Sequence, residues 1–277
     1  MSVRGLAAAA SVALALTSPL AAQGSKAPPA PPGSAPPKMV DEKTMLARIN
    51  DKLRGMPVFT LGSPDGKLLS QSTPEGPSMV AFIAPVDAEA VRADITKGGA
   101  APKDVRVLPI SLADVVLTAQ GKGPDGKKMR VALTPSEPEV KLARAVLVAQ
   151  GQKPEVLNTP PVYLVKSSPG GNYVSVQDPQ GKSTLPVFTA KADVDQMMAK
   201  LKADNPTLGA KAVLEVSTLD RFIEIVLTQD DGAVAPLVLV PPSASIQFVQ
   251  KIAASLAPPA GGAAAPMPGK PGAAPKR

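Results

Sequence analysis

The sequence has no cysteine, no histidine and no tryptophan, and only two tyrosines and five phenylalanines among its 277 residues. Each absence removes a class of function. Without cysteine there is no disulfide framework. Without cysteine or histidine ligands, zinc and haem sites lose their usual donors. Neither a Ser-His-Asp triad nor a Cys-His pair can be assembled, and acid-base chemistry near neutral pH is left with few groups. So few rings supply no stacking platform for single-stranded nucleic acid. No Walker A motif and no Ser-x-x-Lys motif occurs, which removes P-loop nucleotide binding and the penicillin-recognising hydrolases.

Acidic residues are also missing from both ends. The net charge is +7. Residues 1–40 carry Arg4, Lys26 and Lys38, and residues 257–277 carry Lys270, Lys276 and Arg277, with no acid in either segment. That leaves 24 basic against all 23 acidic side chains in residues 41–256. A nucleic-acid binder concentrates positive charge on its folded surface. Here the body is close to neutral, and its densest basic spot, Lys127, Lys128 and Arg130, reads as a solvated hairpin.

The ends have their own grammar. Residues 1–22 read as a secretory signal: Arg4, an apolar stretch from Gly5 to Leu16, and a small-residue site at Leu20-Ala21-Ala22. The apolar stretch is shorter than the ~20 residues needed to cross a bilayer, so no stable membrane insertion is expected and the periplasm is the expected location. Residues 23–41 form a proline-rich linker and residues 257–277 a Pro/Ala/Gly tail. Neither composition can bury a core.

Between them the chain uses one unit twice, with an offset near 106 residues. Phe82 matches Phe188, Asp87 matches Asp193, Val107-Leu108 matches Val213-Leu214, and Pro135 matches Pro241. Ser111 and Asp114 match Ser217 and Asp220, and Met56-Pro57-Val58-Phe59 matches Pro160-Pro161-Val162-Tyr163 at a slightly smaller offset. Each copy reads as a strand (Pro57–Leu61), a Gly turn returning through Leu68–Ser70, a strand at Val80–Ala84, and a helix begun by Asp87. A strand at Arg106–Ile110 and an apolar helix capped by Ser111-x-x-Asp114 follow. Strand Arg130–Leu133 then leads into a helix over Glu137–Gln150, and Leu237–Val240 into Ser245–Leu256. An extra helix, Glu42–Leu53, precedes the first unit. The predicted fold is α/β (α+β), with two lobes, residues 42–152 and 153–256, related by a pseudo-two-fold axis. Each carries a small mixed sheet with helices. The run Leu142 to Ala149 is apolar nearly all round, which predicts a helix buried on most sides that joins the lobes in one core.

Chemical motifs fail on context. Gly121-x-Gly123-x-x-Gly126 matches a dinucleotide fingerprint by letter, but it follows a helix and precedes a strand, the reverse of what that site needs. Asp230-Asp231-Gly232 reads as a hairpin turn and lacks the ligand spacing of a calcium loop. The repeat-matched acids Asp87, Asp193, Asp114 and Asp220 read as helix caps rather than an acid-base pair. No enzyme activity and no cofactor or metal is expected. What remains is apolar: Met197, Met198, Leu201, Phe222, Ile225, Val226 and Val116. These read either as core or as the lining of an open groove in the second lobe that binds polypeptide.

The order Pro-Val-Phe, Gly turn, Phe-ending strand, Asp-Ala helix, Ser-Leu helix start and Pro resembles the Tic-twenty-two-like family. The residues carrying it are Met56-Pro57-Val58-Phe59, Phe82, Asp87-Ala88, Ser111-Leu112 and Pro135, with their second-half partners. The resemblance spans about residues 42–256. It implies a butterfly-like fold with apolar grooves, and a non-enzymatic, chaperone-like role in protein transport or outer-membrane biogenesis. The implied partners are unfolded or outer-membrane precursor polypeptides, with no nucleic acid. Two other readings stand beside it: a structural adaptor that engages an envelope complex through its Pro-rich tails, and a small-ligand or lipid-binding module.

Overall fold

The computed structural model describes residues 41–73, 76–99, 104–121, 129–154, 157, 159–178 and 180–256. The signal segment, the linker up to residue 40, the tail, Gly123, Gly126 and the Lys127-Lys128 pair lie outside the described residues.

The first half runs α1 (Glu42–Leu53), β1 (Pro57–Gly62), β2 (Gln71–Thr73), β3 (Gly76–Phe82), α2 (Pro85–Lys97), β4 (Arg106–Ser111), α3 (Leu112–Gln120), β5 (Arg130–Thr134) and α4 (Glu137–Ala149). The second runs β6 (Pro161–Lys166), β7 (Val176–Gln177), β8 (Ser183–Phe188), α5 (Lys191–Asp204), α6 (Pro206–Gly209), β9 (Val213–Thr218), α7 (Leu219–Thr228), α8 (Asp231–Val234), β10 (Leu237–Val240) and α9 (Ser243–Leu256). Each half builds one five-stranded mixed sheet of the same topology. In the first, β1 lies antiparallel between β3 and β4, β2 pairs with β3, and β5 runs parallel to β3. In the second, β6, β8, β9, β7 and β10 take the corresponding places. Phe59 sits opposite Phe82, and Tyr163 opposite Phe188.

Three local expectations shift. The returning segment Leu68–Ser70 is not a strand. The return meets the end of β1 only through the single Gly62–Leu68 bridge, with Leu69 N donating to the Leu61 carbonyl at 2.8 Å, and ladder pairing begins at Gln71, on β3. The second helix cap is Thr218, not Ser217. Ser217 lies in β9 opposite Val162, whereas the Thr218 hydroxyl accepts from Arg221 N at 3.3 Å. Its counterpart Ser111 accepts from Asp114 N at 3.0 Å, as expected. Asp230-Asp231-Gly232 is not a hairpin turn. Asp230 caps the single-turn helix α8 by accepting from Ala233 N at 2.9 Å.

The layering follows from which faces are apolar. The central core joins both halves. It takes Ile49 and Leu53 of α1, Leu112 and Val115 of α3, and Leu219, Phe222, Ile223 and Val226 of α7, together with the inner faces of both sheets through Val58, Met79, Val162 and Val187. Arg48 clamps the α1 layer in place: its guanidinium donates to Asp231 Oδ1 at 2.7 and 2.9 Å and to the carbonyl of Gln229 at 2.5 Å.

The outer face of each sheet is covered by helices from both halves. On the first sheet, Phe59, Phe82 and Val107 pack under Ala88 and Ile95 of α2 and under Phe248 and Val249 of α9, which comes from the second half. The Phe248 ring meets Phe59 edge-on at 5.3 Å and 88°. On the second sheet, Tyr163, Val165 and Phe188 pack under Val194 of α5 and under Ala143 and Leu147 of α4, which comes from the first half. Glu139 of α4 secures that crossing by accepting from the Tyr163 hydroxyl at 3.1 Å and from Lys191 N at 3.0 Å. Each half thus lends its last helix to the other.

This corrects the reading of α4. Only Val140, Ala143 and Leu147 are buried, while Leu142 is 46% and Val148 60% exposed. The helix lies on an outer face, so one stripe suffices. The residues shared by both lobes belong to α1, α3 and α7.

The exchange predicts that neither half is stable by itself, since each lacks one covering helix and part of the central layer. Fragments 41–152 and 153–256 should each lack a cooperative melting transition by circular dichroism. Mixed in equal amounts, they should regain one.

Candidate functional site

Two clefts occupy corresponding places in the two lobes, each between an edge strand, the end of the exchanged helix and the turn that follows the first strand of the sheet. The first has a volume of about 560 Å³. Its floor is the start of β4, with Val105 and Val107 buried and Leu108 and Pro109 half-buried. Its walls are α2 and α9. On α9 the spacing 248, 251, 252, 255 puts Phe248, Lys251, Ile252 and Ser255 on one helical stripe. The Phe248–Phe59 contact roots that stripe, and the later residues overhang the cleft. Gly62 lets the floor close up, because a Cβ there would lie 2.3 Å from Leu108 Cδ1. On α2, Arg92 is paired with Glu89 at 2.7 Å. Arg106 and Lys251 are exposed and form no ion pair among the described residues.

The second cleft, about 390 Å³, is lined by Gln150 and Gln152 after α4, Pro169 and Gly170 in the turn, and Val213–Glu215 of β9. Its polar groups are already engaged. Gln150 donates to the carbonyl of Leu214, and Lys166 is paired with Glu215. The Tyr173 hydroxyl donates to Glu215 at 2.7 Å, and the Lys166 ammonium stands 5.0 Å from the Tyr173 ring centre. Glu215 holds the Lys166 ammonium above its ordinary pKa, and burial, then Glu215, pushes the Tyr173 phenol up. A third cavity, about 590 Å³, lies against α1 beside Asp41, Lys43, Arg48 and Asp231. Most of its lining residues carry charged side chains, and its guanidinium is committed to the clamp on α7 and α8.

The seven groove candidates do not come together. Phe222, Val226 and Val116 are 4%, 0% and 8% exposed in the central core, with Ile225 packed against it. Met197, Met198 and Leu201 are half-buried in the outer core of the second sheet. The physical reason is the layering. α7 is held between two sheets, so its strongly amphipathic face is closed, and α5 turns its stripe onto β6 and β8. The cleft residues went unnoticed because Arg106 and Lys251 are 145 positions apart. The α9 spacing was the one local signal.

The repeat-matched acids serve helix ends. Asp193 accepts from Ser243 N at 3.0 Å and from its hydroxyl at 2.6 Å, tying α5 to the start of α9. Asp87 reaches the Ser136 hydroxyl, and burial pushes its carboxyl above the usual range. Burial does the same to Asp220, against a hydrogen bond from Thr159, and its Oδ1 has no hydrogen-bond partner among the described residues. Asp114 is exposed on α3. No group of three or more metal-ligating side chains gathers among the described residues, and none of their helices is long and apolar enough to cross a membrane.

Two tests check these placements. Phe222→Ala should lower stability by roughly 3–5 kcal/mol, read by urea unfolding, and Met197→Ala should cost clearly less. Asp220 has a raised folded-state pKa, so its burden is absent where both states are protonated and complete above the raised value. Asp220→Asn should therefore raise Tm near neutral pH, by about 2–4 °C per kcal/mol. The gain should vanish as pH falls below the ordinary carboxylate range.

The model of the Tic22-like family matches residues 7–252. Among solved structures the chain is similar to Tic22 from Anabaena, described as protein transport, with TM-score 0.66, 21% identity, and coverage of 74% of this chain and 96% of that one. It is also similar to Tic22 from Plasmodium falciparum, with TM-score 0.60, 17% identity, and coverage of 76% and 99%. No curated protein sequence matches.

Proposed function

The chain belongs to the Tic22-like family, and from that premise we propose that it is a non-enzymatic, exported protein that binds segments of precursor polypeptides during protein transport across the bacterial envelope. The observation that carries this reading is the first cleft. It is apolar at Val105, Val107, Leu108 and Pro109 of its floor and at Phe248 and Ile252 of its helical wall, open to solvent at its rim, and built mainly on a strand and two helices. Apolar clefts fixed on rigid elements bind side chains without needing the protein to reorganise. The titratable groups lining it are an ion pair and two exposed cations, a set suited to holding chains rather than cleaving them. The description of the Anabaena relative as protein transport supports the same reading.

The test is suppression of aggregation of a denatured outer-membrane barrel, followed by light scattering. This chain has no tryptophan, so tryptophan fluorescence reports the client alone. The wild type should suppress scattering at a several-fold excess. Ile252→Asp should weaken client binding about tenfold while the melting curve persists, because Ile252 lines the cleft rim. Met197→Gln, on the opposite lobe, should retain suppression. No suppression by the wild type would end the proposal.

A further inference from the structure

The two clefts share their elements but not their electrostatics. In the second, Lys166, Glu215 and Tyr173 form a closed set, so its cation is neutralised from within. In the first, Arg92 is neutralised by Glu89, and two cations have no acidic partner among the described residues: Arg106 on the floor strand and Lys251 on the α9 wall. Both border an apolar surface of Val105, Leu108, Pro109 and Ile252. A charge beside apolar walls is less screened by water than one on an open surface, so an incoming opposite charge is worth more there.

From this asymmetry we infer that the first cleft selects polypeptide segments in which apolar side chains alternate with carboxylates, and that Arg106 and Lys251 are the selecting residues. The inference rests on the polypeptide-binding reading above and adds the chemistry of the segment. Alternation is what the geometry asks for. The floor is a strand and the wall a helical stripe, so an extended segment laid between them turns successive side chains to opposite sides. One set reaches the apolar floor and the other the rim where the cations stand. Recognition goes through side chains, because Pro109 supplies no N–H for strand addition at the middle of β4. The chain's own residues 257–277 follow directly from the α9 wall, but they carry three cations and no acid. Their charge is wrong for this cleft.

The experiment uses the full chain and fluorescein-labelled peptides of about ten residues, with Leu, Val and Phe alternating with Asp, Asn or Lys. Anisotropy should show the Asp peptide binding about tenfold tighter than the Asn peptide at low salt, with the Lys peptide weakest. The difference should shrink as salt shortens the ~10 Å screening length. In Arg106→Gln/Lys251→Gln the Asp and Asn peptides should bind alike. In Arg106→Glu/Lys251→Glu the order should invert in favour of the Lys peptide, a gain that partial unfolding cannot imitate. Lys166→Gln, in the other cleft, should keep the wild-type order. An unlabelled peptide of residues 257–277 should not displace the Asp peptide.

Binding without discrimination, discrimination that survives the double substitution, or displacement by residues 257–277 would each overturn the inference while leaving the proposed function standing. Failure of every peptide to bind would remove both.

Discussion

The structure depends on a reciprocal exchange around one apolar layer. α1, α3 and α7 are pressed between the inner faces of two sheets, and the outer face of each sheet is closed by a helix that belongs to the other half. A unit of about 100 residues buries only about two-thirds of its unfolded surface. Two such units standing apart would be weakly stabilised without disulfides, and this chain has no cysteine. Exchange solves that. Phe59 is completely buried only because Phe248 crosses to it, and Tyr163 only because α4 does. The polar contacts at the crossings are few but directional. Glu139 receives two donors, and Asp193 holds the start of α9 through two more. They fix where each helix lands, while burial supplies the stabilisation.

Much of the element list was legible because its signals are local. The helix Glu42–Leu53 is bounded as its pattern predicts, with Asp41 capping it through Thr44 at 2.9 Å. The strands carrying the matched Phe82 and Phe188 occupy the same place in the two sheets, opposite Phe59 and Tyr163. The family resemblance, read from the order of weak motifs, agrees with the match over residues 7–252. Layering was not legible. An amphipathic stripe states that a face is buried, not what buries it, so α7 read as either core or open groove, and it lies at the centre of the molecule. The run Leu142–Ala149 misled for the opposite reason: apolar residues on its exposed side carry no cost large enough to forbid them. Register misled at Ser217, because turns of unequal length move the local offset by a residue or more along the repeat, and only the pairing of Pro161 with Thr218 fixes the cap. The cleft joins β4 to α9 across most of the chain, and no sequence window contains both.

Duplication also explains why the lobes could diverge. Two copies of a cleft, one on each side of a shared core, can be altered separately, because substitutions at one rim do not touch the other. In the second copy the amide of Gln150 and the Lys166–Glu215–Tyr173 set fill the polar capacity of the site. In the first, the corresponding rim keeps two cations that form no ion pair among the described residues, beside an apolar floor. The central core shows no such divergence in kind: Leu112 and Leu219 stand at the same place, each donating its N–H at 2.8 Å to the carbonyl of the residue that leads into the first strand, Met56 in one copy and Pro160 in the other. The interior is held in common and the rims are not, which is the pattern expected when packing constrains the one and recognition the other.

A protein built on two open sheets must also avoid pairing with other chains. Exposed sheet edges offer unpaired N–H and C=O groups to any extended segment, and such pairing propagates. Each sheet here ends on one side with β4 or β9 and on the other with two short strands, β2 and β5 or β7 and β10. Along β9, the outward carbonyl of Leu214 is taken by Gln150. Two residues further along the same edge lies Val216, and the equivalent position in β4, opposite Phe59 as Val216 is opposite Tyr163, is Pro109. A proline is tolerated there because its missing N–H would have pointed away from β1, and it removes the donor that any added strand would need. The two edges are thus blunted by different chemistry, one by an amide cap and one by an imide ring. With backbone pairing discouraged at both edges, the polypeptide binding proposed for the first cleft would rest on apolar contact and charge at the side chains, which is reversible and compatible with release.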